Sequence, residues 1–162
     1  SGVSTPSGTL PPTEQPDLGE PGPECVEVLT ADDVYAYNPN LSAVGAPTPA
    51  EGSLAARAAE LDGTLCRWSN NTSALAIDLA IAVPGENDLA ELTAAAAADA
   101  TPTDAFGGGS TVTGYFDVDG DVGTAQVFTN GRWIVLSSPM FIEATDVEPL
   151  VVAILANLDG TP

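Results

Sequence analysis

TVTGYFDVDGDVGTAQVFTNGRWIVLSS, residues 111–138, places two Asx-Gly dipeptides, Asp119-Gly120 and Asn130-Gly131, between runs of alternating β-formers. Both central positions of a type I′ turn need positive φ, which Asn, Asp and Gly adopt at least cost. Such dipeptides between alternating runs therefore mark two-residue hairpins. The stretch predicts a three-stranded meander at about 111–118, 121–129 and 132–138. Two-residue turns fix register, so Phe128 should face Trp133, Val127 face Ile134, Ala125 face Leu136 and Tyr115 face Thr124. One sheet face then collects Val112, Phe116, Ala125, Val127, Ile134 and Leu136. The other collects Thr111, Thr113, Tyr115, Thr124, Gln126, Phe128, Trp133 and Val135.

Toward the C-terminus, Val147, Leu150, Val151, Ile154, Leu155 and Leu158 repeat at helical spacing. They form the apolar stripe of a core-facing helix over about 146–158. Thr145 and Glu148 have capping-box spacing, and Pro149 falls in the first turn, where its missing N–H does little harm. This amphipathic helix is expected to cover the apolar face of the meander.

Upstream, Leu65–Ser69 and Ala74–Val83 read as strands joined across Asn70–Ser73. In the second, Leu75, Ile77, Leu79, Ile81 and Val83 point one way, and Ala74, Ala76, Asp78, Ala80 and Ala82 the other. The Ala face is either covered by a close helix or open. Pro84-Gly85 turns the chain into a helix over 88–100, capped by Asn87 or Asp88 and ended by Thr101-Pro102. Ala50–Leu61 is a further helix, ended by Asp62-Gly63. Thr30 caps an earlier one, with Asp33 at the capping-box position and Asn38-Pro39 as its stop. A loop containing Gly45, Pro47 and Pro49 follows it. The order gives an α+β domain over 24–162 with an antiparallel sheet of about five strands packed by helices. Residues 1–23, rich in Pro and Gly, read as a disordered tether.

The chain of 162 residues carries 23 Asp and Glu against three Arg, with no Lys and no His, for a net charge of −20. A surface of this sign repels nucleic acid and anionic lipid, and cationic partners suit it: metal ions, basic proteins or amine-bearing ligands, so that a small cationic ligand or an envelope protein is expected. The charge also serves solubility alone. Without His there is no Ser-His-Asp or Cys-His catalysis within the chain. No stretch reaches the ~18 apolar residues of a membrane span, and no signal peptide stands at its start.

Cys25 and Cys66 are the only cysteines. An exact pair without C-x-x-C spacing reads as one structural disulfide of an oxidising compartment, against two free buried thiols in a reducing one. Closing a loop of about 40 residues contributes about 4 kcal/mol by the chain-entropy argument.

Among candidate sites, Asp117-Val-Asp119-Gly-Asp121 has the look of a calcium loop. Val122 and Phe128 stand where such a loop needs Gly and a bidentate Glu, so it reads as an acidic turn. Gly107–Ser110 lacks the Lys of a phosphate loop and reads as a joint into the meander. Asp32 with Asp33, and Glu143 with Asp146 and Glu148, offer the paired carboxylates of a hydrolase, but also sit where helix starts attract carboxylates. The face carrying Tyr115, Phe128 and Trp133 is either a binding surface or a second core layer under the helices at 50–61 and 88–100. Asp78 lies on the same side; in a closed face it needs a partner, with Arg67 and Arg132 available.

The block Glu24-Cys-Val-Glu-Val-Leu-Thr-Ala-Asp-Asp-Val34, with Cys66-Arg-Trp68 leading into an alternating strand, resembles exported lipoproteins of actinobacteria. It is also similar to the extracellular sensor domains of mycobacterial receptor Ser/Thr kinases. The resemblance covers about residues 24–83. It implies a disulfide between the two motifs, a place outside the cell and a binding or sensing role without an assigned reaction. The expectation is a non-enzymatic, tethered ligand- or protein-binding domain on the outer face of the cytoplasmic membrane, or secreted. Its membrane attachment would run only through an N-terminal lipid anchor outside this chain, and no cofactor or metal is expected. Alternatives are a carboxylate-dependent hydrolase acting outside the cell and a structural subunit of an envelope complex.

Overall fold

Hairpins build the centre of the fold, as their turn chemistry demands. The computed structural model describes residues 23–106, 112–129 and 131–158. Residues 1–22 of the expected tether, the expected joint at Gly107–Ser110, Thr111, Asn130 of the second Asx-Gly dipeptide and residues 159–162 lie outside the described residues. Among the described residues there are seven strands, β1 (Leu41–Val44), β2 (Thr64–Asn70), β3 (Ala76–Ala82), β4 (Thr101–Thr103), β5 (Val112–Asp119), β6 (Val122–Thr129) and β7 (Arg132–Ser138). They form one antiparallel sheet in the order β1-β2-β3-β7-β6-β5-β4. Five helices accompany it: α1 (Cys25–Val28), α2 (Ala31–Tyr37), α3 (Leu54–Glu60), α4 (Glu86–Asp99) and α5 (Ala144–Leu158). No helix among the described residues is long and apolar enough to cross a membrane.

The α+β architecture follows the sequence reading, with the sheet extended at both edges by β1 and β4. Neither short strand has an alternating pattern of its own, and Thr101-Pro102, expected only to end a helix, goes on into pairing with Phe116 and Tyr115. The β6–β7 register is the expected one, with Phe128 opposite Trp133, Val127 opposite Ile134 and Ala125 opposite Leu136. The β5–β6 register differs: Tyr115 faces Gln126, not Thr124. Its turn is centred on Gly120-Asp121, with Gly120 at φ +65°, and Asp119 pairs with Val122. A shift of the partner by two residues preserves every side chain's face, because strand side chains alternate with period two.

The first sheet face holds Ile77, Leu79, Ile81, Ala125, Val127, Ile134 and Leu136, packed with Val28, Leu29 and Val34 and with Val147, Leu150, Val151 and Ile154 of α5. Burying each Val, Leu or Ile among them contributes roughly 1.5–3 kcal/mol. Thr30 caps α2 as expected, its hydroxyl accepting from the Asp33 amide. At the start of α5 the expectation is corrected. Asp146, rather than a Thr145–Glu148 box, accepts the Ile142 and Glu143 amides at 2.9 Å, and the helix begins at Ala144. Asn157 of α5 donates to Val28 O at 2.9 Å and to Asp33 Oδ2 at 2.8 Å, fastening α1 and α2 to it.

Cys25 and Cys66 form the disulfide, with Cα atoms 5.9 Å apart. It joins α1 to β2. From β3 in the middle of the sheet, α4 carries the chain to the far edge at β4, which places it over the second face.

Candidate functional site

Register and helix docking together divide the second face into two halves. Ala80 and Ala82 of β3 are small, so α3 and its following turn approach closely with Ala58 and Leu61. Leu92 and Ala96 of α4 cover the neighbouring strands. Beneath them Trp133, Phe128, Tyr115 and Val135 are buried; Trp133 is 0% exposed. The Trp133 indole reaches Gln126 Oε1, and the Tyr115 and Phe128 rings meet edge to face at 6.0 Å. Tyr115, Phe128 and Trp133 therefore form a second core layer and offer no open surface, for a physical reason. Two Ala-rich helices can lie flat on large aromatics and remove their apolar area from water.

Asp78 is separated from them. Trp133 pairs with Ala82, four residues along β3 from Asp78, or about 13 Å at strand rise. Asp78 belongs instead to a row that crosses the sheet in register: Val44, Arg67, Asp78, Ser137, Thr124, Asp117. From Arg67 to Asp117 is four strand steps, about 19 Å. The helices stop short of this row, and its side chains are half-buried or exposed.

Arg67 and Asp78 form a two-pronged pair, Nε to Oδ1 at 2.6 Å and Nη2 to Oδ2 at 2.9 Å. The hydrogen bond to Asp78 raises the already high pKa of the guanidinium. Of the two candidate partners for Asp78 the structure selects Arg67, its cross-strand neighbour; Arg132 reaches Leu158 O instead. Arg57 stitches α3 to α4 through Asp88 at 3.1 Å and Glu91 at 3.9 Å. Arg67 lies on the floor of a concavity of about 370 Å³ with Pro47, Pro49, Leu54, Leu65 and Val122 among its walls. A second concavity of about 310 Å³, bordered by Leu75 and Pro139, shares Arg67, Asp78, Val122 and Ser137 with the first. The two make one trough. It offers guanidinium donors, carboxylate and hydroxyl acceptors, and apolar flanks.

In each helix-start set one carboxylate is engaged elsewhere. Asp33 accepts from Thr30 and Asn157; the Asn157 amide foremost, with Thr30, holds its pKa below the ordinary value despite the opposing effect of burial. Asp146 accepts two backbone amides. Burial foremost, and the charge of Asp146, raise the pKa of Tyr37, whose hydroxyl donates to Asp146 O. Among the described residues no group of three or more His, Cys, Asp or Glu is arranged to hold a metal ion.

Sequence reasoning missed Ser137 and the Pro47–Pro49 wall, and put Thr124 on this face without joining it to Arg67 and Asp78. The signal that joins both hydroxyls to that row is the pairing register carried across the strands. Compared with protein-family models, curated proteins and solved structures, the chain finds no match.

Proposed function

We propose that this is a non-enzymatic, disulfide-stabilised binding domain, tethered outside the cell, that takes its ligand or protein partner on the uncovered half of the second sheet face. The observation that carries the reading is the trough over Arg67 and Asp78, where helices leave a regular sheet bare and charged groups stand among apolar walls. Small-molecule and peptide sites share this character: concave, largely apolar, with a few polar groups that fix orientation. The disulfide supports an oxidising surrounding.

Thermal-shift screening of the intact chain against polyamines, basic peptides and neutral saccharides tests it. A ligand that raises Tm for the native protein and not for Arg67→Ala/Asp78→Ala supports the reading. Hits that raise both equally overturn the assignment to the trough. Ellman titration under denaturing, non-reducing conditions tests the compartment: two reactive thiols in protein from its native source would end that part of the reading.

A further inference from the structure

Four of the nine exposed large apolar side chains among the described residues, Val44, Leu54, Leu75 and Val122, border the trough or its polar row. At the β5–β6 end, Asp117 and Asp119 lie on the same side of the sheet, exposed, with no ion pair among the described residues. Arg67 and Asp78 neutralise one another, so these two carboxylates leave this surface with an excess of negative charge, in a chain of net −20. We infer that the trough binds an extended polypeptide segment carrying Lys or Arg from a basic partner, with the cationic side chains at Asp117 and Asp119 and apolar ones against Leu54, Leu75 and Val122. The inference rests on the binding reading above and names its partner class.

Charge selects this occupant, and the length of the trough accommodates it. The two concavities joined run from beside Ala80 to Ala76, about 13 Å along β3, and reach Val122 and Thr124 of β6, the strand partners of Asp119 and Asp117. Four extended residues span that length at about 3.3 Å each. A second copy of the chain would bring another −20 against the first. Cationic side chains are drawn to such a surface, and the apolar rim supplies the short-range contact that charge alone lacks.

The test uses a fluorescein-labelled hexapeptide of alternating valine and lysine, its glutamate counterpart, and spermine, each with the intact chain. Anisotropy measures affinity, and amide shifts locate the contact. The expected result is binding of the lysine peptide alone, with shifts gathered at Arg67, Asp78, Val122, Thr124 and Ser137. Asp117→Asn/Asp119→Asn should weaken it about tenfold. The charge-matched Asp32→Asn/Glu148→Gln pair, on α2 and α5 over the first sheet face, should change it less than about twofold. If spermine shifts the trough amides and the peptide does not, the peptide class is overturned and the trough remains a binding site. If the lysine peptide binds with shifts spread over the acidic surface, or is weakened equally by both double variants, both readings fall.

Discussion

The indole Nε1 of Trp133 donates a 3.0 Å hydrogen bond to Gln126 Oε1, joining diagonal neighbours of β7 and β6 inside the second core layer. Both residues are buried, so the bond satisfies two polar groups that water does not reach. Trp133→Ala leaves a cavity under α3 and α4 and orphans the Gln126 amide. A loss of about 3–5 kcal/mol is expected, read as the shift of a urea unfolding curve. A change below about 1 kcal/mol would show that the helices close over the gap or that the layer is open.

The Arg67–Asp78 pair is partly exposed, with side chains at 40% and 31% of full accessibility. Its two-pronged geometry is good, yet solvent screens it. A double-mutant cycle through Arg67→Ala and Asp78→Ala should give a coupling of roughly 0.5–1 kcal/mol. Either single variant should fold. A coupling several times larger would mean that the row is covered in solution.

Reducing the Cys25–Cys66 bond, or replacing both residues by Ser, should lower stability by about 4 kcal/mol. The measurement is chemical denaturation with and without reductant. An unchanged midpoint would remove the disulfide from the account of stability.

Asp33 has its folded-state pKa below the ordinary 3.8. The folded protein then binds fewer protons than the unfolded chain in this range. The contribution is therefore fully present above the unfolded value and lost as pH falls through the folded one. Asn157→Ala removes the main cause of the shift. The variant should lose stability relative to the native protein at pH 6, and the gap should narrow below about pH 4 as Asp33 protonates. Melts at both pH values check it; a gap that widens on acidification contradicts the assignment.

Much of the fold was written in local pattern. The meander and α5 have period-two or helical spacing, and their faces came out as expected; α2 was marked by its Thr30 cap. β1 and β4 did not, because four and three residues without alternation become strands only when a neighbour supplies hydrogen bonds. The fate of Tyr115, Phe128 and Trp133 was open for a related reason. Their pattern is the same whether helices or a partner cover them, and α3 and α4 are Ala-rich with little stripe to declare a docking side. Asp78 was visible as a charge among alanines, and its cross-strand neighbour Arg67 was one of two named candidates. The polar row to Asp117 exists only in register, and no single segment carries it.

The position of the disulfide also decides how the fold meets a mechanical load. Tension arriving at Cys25 along the preceding chain passes through one covalent bond to Cys66, in the second strand of the sheet. Residues 26–65, with α2, β1 and α3, are a slack loop outside that path. A pulled domain would thus bear force in its strand ladder, and the loop would stay folded until β2 itself gives way.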